Sequence, residues 1–203
     1  MQKKLILGSS SPYRKALLSR LNIPFECLSP NIDESPLEDE TATSLVQRLT
    51  IEKAFAVSRE HKKSNNQSAL IISSDQVAVL GGRILGKPHT YDNAVQQLSD
   101  FSGKKVSFLT GLCLFDHKTQ THQYELCDFH VHFRTLTFTE ISNYVRIEQP
   151  LNCAGSFKCE GLGVSLFEKM EGDDPNSLIG LPLIALCRLL RAQGINPIAQ
   201  AEE

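Results

Sequence analysis

Three features of the sequence predict an α/β fold built on a mixed sheet. Apolar strand-like runs interleave with amphipathic helix-like stretches, Gly81-Gly82 separates two short apolar segments, and two long strand-like runs, 105–115 and 124–134, are joined by a short polar turn. The alternation is that of an α/β protein, but strands coupled by tight turns lie antiparallel, so the sheet cannot be all-parallel. The 203 residues are enough for one domain over 1–203 with a substantial core.

The elements follow in order. Residues 4–8 form a short apolar run ending in small residues, as a buried strand does. Ser11-Pro12 then opens a helix, Ser as N-cap and Pro in a first turn where its missing N–H costs nothing, with Leu17, Leu18 and Leu21 on the apolar face. Residues 25–28 read as a second strand. Residues 29–40 hold five acidic residues and two prolines and read as loop. A second helix is expected over 44–60, with Ser44 and Gln47 resembling a capping box and Val46, Leu49 and Ala56 on its apolar stripe. A polar linker, 62–68, leads to an apolar strand at 69–72. Segments 77–80 and 83–85 make a hairpin, because Gly81-Gly82 supplies the positive φ of a tight turn. Residues 90–101 and 139–148 are helical, 152–163 is loop with at most one strand, and 177–193 reads as one strongly apolar final helix.

Composition narrows the function. Hydrophobic residues at 41% and charged residues at 22% are ordinary globular usage. A net charge of −2 provides no basic field for a nucleic-acid polymer, so any anion must be held by local cations. The N-terminal apolar run is too short for a signal peptide or a membrane span, and the six cysteines contain no Cys-x-x-Cys pair, which points to reduced thiols and a cytoplasmic protein.

Four places break local rules. Arg14 and Lys15 occupy a first helical turn where acidic residues belong, directly after Ser9-Ser10-Ser11; hydroxyls, free N–H groups and cations together suit a phosphate, although the cations could also face solvent. Lys53 interrupts the stripe through positions 46, 49, 53 and 56, where it either snorkels to water or aims at a substrate. Asp75 follows Ile71-Ile72-Ser73-Ser74 at what reads as the carboxyl end of a buried strand, the usual ligand end of open α/β sheets, and Gly86-Lys87-Pro88 brings another lysine near that end. Asp33-Glu34 offers carboxylate oxygens of the kind hard divalent cations prefer, or is simply a solvated loop. His130 and His132 alternate with Phe129, Val131 and Phe133 and read as one polar strand face, not a metal pair; Asp173-Asp174-Pro175-Asn176 reads as a turn.

Together these residues resemble a known set. The opening Leu5-Ile6-Leu7-Gly8-Ser9-Ser10-Ser11-Pro12-Tyr13-Arg14 is similar to the start of the Maf family of nucleotide pyrophosphatases. Asp33-Glu34, Glu52-Lys53-Ala54, Ser74-Asp75-Gln76, Gly86-Lys87-Pro88, the segment from Cys153 to Gly161, and Gly180-Leu181-Pro182 follow in the family's order and approximate spacing. Gly8 stands where the family usually has Ala. The resemblance implies a long mixed sheet flanked by helices, of the inosine-triphosphatase-like type, with two lobes around a central cleft. It also implies a divalent cation (Mg²⁺, Mn²⁺ or Co²⁺) and hydrolysis between the α- and β-phosphates of a nucleotide. Carried over by motif, Ser9, Arg14, Lys53 and Lys87 bind the phosphates, Glu34 holds the metal, and Asp75 is the base that activates water, with a further role as metal ligand left open. No membrane or nucleic-acid partner is implied, and a homodimer is left open.

Three positions bear on the base. The commoner Maf branch, resembling dTTP and UTP pyrophosphatases, has Arg, Thr and Gln where this chain has Tyr13, Gln76 and Glu160, a pattern that resembles the branch acting on 7-methyl-GTP. The chemistry agrees: N7-methylation makes guanine a flat cation that an aromatic ring attracts, and a carboxylate such as Glu160 accepts from guanine N1–H and N2–H. A lobe-packing role would suit Tyr13 equally. The alternatives are another base preference, dTTP or UTP among them, or a nucleotide-binding regulator of cell division, which would have no need of Asp75.

Overall fold

The computed structural model describes residues 3–64 and 67–199. One seven-stranded sheet runs through it. Strand β1 (Lys4–Leu7) is followed by α1 (Pro12–Ser19), β2 (Glu26–Cys27), α2 (Ala42–Ser64) and β3 (Ala69–Leu80). Then come β4 (Arg83–Leu85), α3 (Tyr91–Phe101), β5 (Lys105–Asp116), β6 (Thr121–Phe133) and α4 (Phe138–Glu148). The chain closes with β7 (Phe167–Gly172), α5 (Pro175–Ile179) and α6 (Leu183–Ala192). The sheet order is β2-β1-β3-β5-β6-β7, with β4 hydrogen-bonded to β3. β1 pairs parallel with β2 and β3, and all other pairings are antiparallel, so the sheet is mixed as the hairpins require. No helix among the described residues is long and apolar enough to cross a membrane.

Strand alternation sorts the core. On one face Leu5, Leu7, Leu70 and Ile72 pack with Leu17 and Leu18 of α1 and Leu186 and Leu190 of α6. On the other, Ile6, Ile71 and Phe115 pack under Ala54 and Val57 of α2. A separate core, with Phe101, Phe108, Val131, Phe133 and Phe157, fills the space between the far half of the sheet and α3 and α4. β3 crosses from the first of these cores to the third: Ile72 lies in one and Ala78 in the other, and the polar run from Ser73 to Gln76 spans the gap.

Several boundaries differ from expectation. β3 has twelve residues and continues well past residue 72, because every residue from Leu70 to Val79 lies opposite a β5 residue and the antiparallel ladder takes up alternate backbone N–H and C=O groups. Asp75 therefore lies inside a strand, opposite Gly111, and not at a strand end; it is β1 that stops, at Leu7 opposite Ile72. α2 starts earlier than 44, and its cap is Thr41, whose Oγ1 accepts from Ser44 N at 3.2 Å, so the Ser44–Gln47 capping box does not form. The expected linker is shortened by α2 running through Ser64; positions 65 and 66 lie outside the described residues. Segment 152–163 contains no strand and folds through 3₁₀ turns, while β7, absent from the sequence reading, follows it. The single final helix is two helices, broken where Gly180 adopts φ +115° and Pro182 precedes α6.

Candidate active site

The polar run of β3 sends alternate side chains to opposite faces of the sheet. Toward α2, Ser73 Oγ donates to the Thr50 carbonyl at 2.7 Å and Asp75 Oδ1 accepts from Lys53 Nζ at 2.6 Å. The Lys53 ammonium also pairs with Glu34 Oε1 at 3.0 Å. Lys53 and Asp75 are 4% and 6% exposed, so this is a buried ion pair whose outer carboxylate, Glu34, reaches it from the acidic loop. The helix comes close enough because residue 111 is glycine: a Cβ there would lie 2.3 Å from Thr50 Oγ1 and 2.9 Å from Val46 Cγ1.

Toward the other face, Ser74 Oγ donates to the Gly180 carbonyl at 2.8 Å, and Arg14 Nε donates to the same oxygen at 2.8 Å. The helix break leaves that carbonyl without an intrahelical partner and available to both. Burial pulls the Arg14 guanidinium below its ordinary pKa, and the charges of Asp75 and Glu34 pull it back up, so Arg14 sits in the field of both carboxylates. Ser11 caps α1, its Oγ accepting from Arg14 N at 3.4 Å, and the buried Ser9 Oγ accepts from Ser11 N at 3.1 Å. The loop from β1 into α1 thus enters beside Ser73 and Ser74, held by Gly8 N donating to the Ile72 carbonyl at 2.7 Å.

The residues expected to read the base divide. The Tyr13 hydroxyl is pushed up to about 12, chiefly by burial, then by Cys153 and by the charges of Glu160 and Glu148, so Tyr13 lies within the field of Glu160, whose carboxylate accepts from Cys159 Sγ at 3.6 Å. The loop bearing Glu160 is pinned by Leu162 N donating to Glu148 Oε1 at 2.8 Å and by Lys158 N donating to the Tyr144 hydroxyl at 3.0 Å. Lys87 is exposed and its charge is felt at Cys153; among the described residues it makes no direct contact with the Lys53–Asp75 pair. Gln76 is held apart, donating through Nε2 to Thr110 Oγ1 at 2.8 Å and to the Ser177 carbonyl at 2.7 Å.

The partners of the Gly180 carbonyl and the company of Cys153 and Glu148 were not legible from sequence, although Gly180 and Cys153 both lie in motifs that carry the resemblance. Gly180 had a signal, a glycine two residues before proline inside an apparent helix; a backbone carbonyl's partner and the company of Cys153 have none. The two segments set aside stay outside. His130 and His132 are half-buried, bonding to Ser107 Oγ at 2.9 Å and Glu171 Oε2 at 3.1 Å. Asp174 caps α5.

Comparison with known proteins gives consistent relatives. The family model described as "Maf-like protein" matches residues 4–193. A protein of Colwellia psychrerythraea named 7-methyl-GTP pyrophosphatase is 54% identical over 198 residues, 98% of this chain and 96% of the relative. One of the same name from Alcanivorax borkumensis is 56% identical over 191 residues, 94% of each chain. Among solved structures, the Staphylococcus aureus Ham1 protein aligns with 94% of this chain and 100% of its own at TM-score 0.46 and 10% identity. A nucleoside-triphosphatase (dITP/XTP pyrophosphatase) of Mycobacterium abscessus does so over 94% and 97% at TM-score 0.38 and 16% identity.

Proposed function

The chain belongs to the Maf family, and on that premise we infer that it is a nucleoside triphosphate pyrophosphatase that hydrolyses 7-methyl-GTP to 7-methyl-GMP and diphosphate. The observation that carries the reading is the buried Lys53 ammonium shared by Asp75 at 2.6 Å and Glu34 at 3.0 Å, in whose field Arg14 also sits. A cation and two carboxylates from three distant segments meet there, and no packing demand explains burying the Lys53–Asp75 pair.

In the reaction, a water oxygen bonds to the α-phosphorus, the bond from that phosphorus to the bridging oxygen breaks, and diphosphate leaves with the electron pair. Asp75 takes the proton from the water. Arg14 and Lys53, with the Ser9 hydroxyl and the N-terminus of α1, balance the charge that grows on the phosphate oxygens; Lys87 meets the phosphates from the Cys153 side. Two carboxylates converging on one cationic group also suit a hard divalent cation, since Mg²⁺ or Mn²⁺ takes one or two carboxylates and completes its shell with water and phosphate. Glu34 and Asp75 would hold it, and its chemistry is to neutralise phosphate oxygens.

Tyr13 and Glu160 read the base: an aromatic ring in the field of a carboxylate favours a flat cationic purine that donates from N1 and N2. Gln76 acts at one remove, through α5. The test is a panel of 7-methyl-GTP, GTP, dTTP and UTP with Mg²⁺ or Mn²⁺ and diphosphate detection. The highest kcat/KM is expected for 7-methyl-GTP; a preference for dTTP or UTP would overturn the base assignment, and no release of diphosphate from any of the four would overturn the activity.

A further inference from the structure

At the opposite end of β3 a cavity of about 650 Å³ opens between α2 and the β5–β6 turn, sharing no residue with the active site. Ser68, on its rim, precedes Asp75 by seven residues, which places the cavity roughly 23 Å away along the strand. Arg59 and Lys62, three residues apart on α2, line it from one side, and Lys118 lines it from the turn. None of these three cations pairs with a carboxylate among the described residues, although their neighbour Lys63 pairs with Glu60 at 3.0 Å. The adjacent Asp116, whose charge is felt at His117, is held by other donors, accepting from Lys3 Nζ at 2.7 Å and from Lys118 N at 2.9 Å. The lining is polar at Ser58 and His117, joined at 2.8 Å between Ser58 Oγ and His117 Nδ1, and it ends on the half-buried ring of Phe55.

We propose that this cavity is a second anion site that takes a small phosphate-bearing molecule, with the phosphate on Arg59, Lys62 and Lys118. Its volume lies in the range of small-molecule sites, and three unpaired cations around a concave, hydroxyl-bearing wall match phosphate oxygens, while Phe55 adds an apolar wall. Free diphosphate and a nucleoside monophosphate share this chemistry.

Equilibrium dialysis with labelled diphosphate, on the full chain and on the triple variant Arg59→Ala, Lys62→Ala, Lys118→Ala, separates this site from the catalytic one. The wild type is expected to hold one equivalent more than the variant, while turnover of 7-methyl-GTP stays within about twofold because none of the three lies in the active site. Equal binding by both proteins would overturn the proposal. Lys118→Glu alone, a surface-turn change that leaves the helix intact, is expected to weaken that extra equivalent at least tenfold, and unchanged affinity would also overturn it. Unlabelled GMP displacing the label identifies a phosphate ester as the occupant; diphosphate binding that GMP leaves untouched identifies free diphosphate.

Discussion

Lys53 holds two carboxylates with one ammonium, and only Glu34 of the three groups is substantially exposed. Such a pair is costly to bury and costlier to break, since removing one partner strands the other charge. The isosteric Asp75→Asn keeps a hydrogen-bond acceptor for Lys53 and removes the base. It is expected to lower kcat by roughly 10²–10⁴-fold with nucleotide affinity largely intact, read by steady-state kinetics beside calorimetric binding of 7-methyl-GTP. Glu160 carries a different expectation. Glu160→Gln keeps the shape and loses the charge, so kcat/KM for 7-methyl-GTP should fall about tenfold while that for UTP changes little. Equal losses on both substrates would remove Glu160 from base recognition.

α2 and the α5–α6 break set the distances at the site. Gly111 lets α2 settle onto β5, and Gly111→Ala would drive a methyl group into Thr50. The helix must then lift, costing about 1–3 kcal/mol and stretching the Lys53–Asp75 contact. A lower melting temperature together with a lower kcat is the expected result, partly recovered by adding Thr50→Ala. The break depends on Asp174, whose Oδ1 accepts from Asn176 N at 2.9 Å and whose Oδ2 accepts from Ile184 N at 2.6 Å, tying the starts of both helices together. Asp174→Ala is expected to cost about 1–2 kcal/mol in urea unfolding and to weaken phosphate binding by releasing the Gly180 carbonyl from Arg14.

For the whole molecule, the three long strands β3, β5 and β6 knit two cores into one sheet. We expect a single cooperative thermal transition, with calorimetric and van't Hoff enthalpies equal; two resolved transitions would mean that the cores unfold separately. Acid should weaken the fold through His117. Burial, then the charges of His61 and Lys62, hold its pKa below the usual 6.5, while Asp116 pulls it up. The unfolded chain therefore binds a proton there at a pH where the folded chain does not, and stability falls as pH drops through about 6.5 and levels off below the depressed folded value. Urea midpoints at pH 7.5 and 5.5 should show the drop, and His117→Asn should flatten it.

Most of the elements, the Gly81-Gly82 hairpin and the candidate residues Arg14, Lys53 and Asp75 were legible in the sequence because they are local signals: period, caps, turn glycines, and charges where a helix face or first turn should have none. Arg14, Lys53 and Asp75 stood out because each violated a rule that its own neighbours define. Where β3 ends was not legible, since its length is set by the partner residues of β5, and the final helix was misread because the demand for a free carbonyl at Gly180 comes from Arg14, far away in the chain. Only the tertiary structure decided which carboxylates share Lys53, that Gln76 bonds to Thr110 and Ser177, and that three cations border a cavity at the far end of the sheet. The physical reason is that a side chain's rotamer and burial are fixed by groups remote in sequence, whereas propensity and periodicity reach only a few residues along the chain.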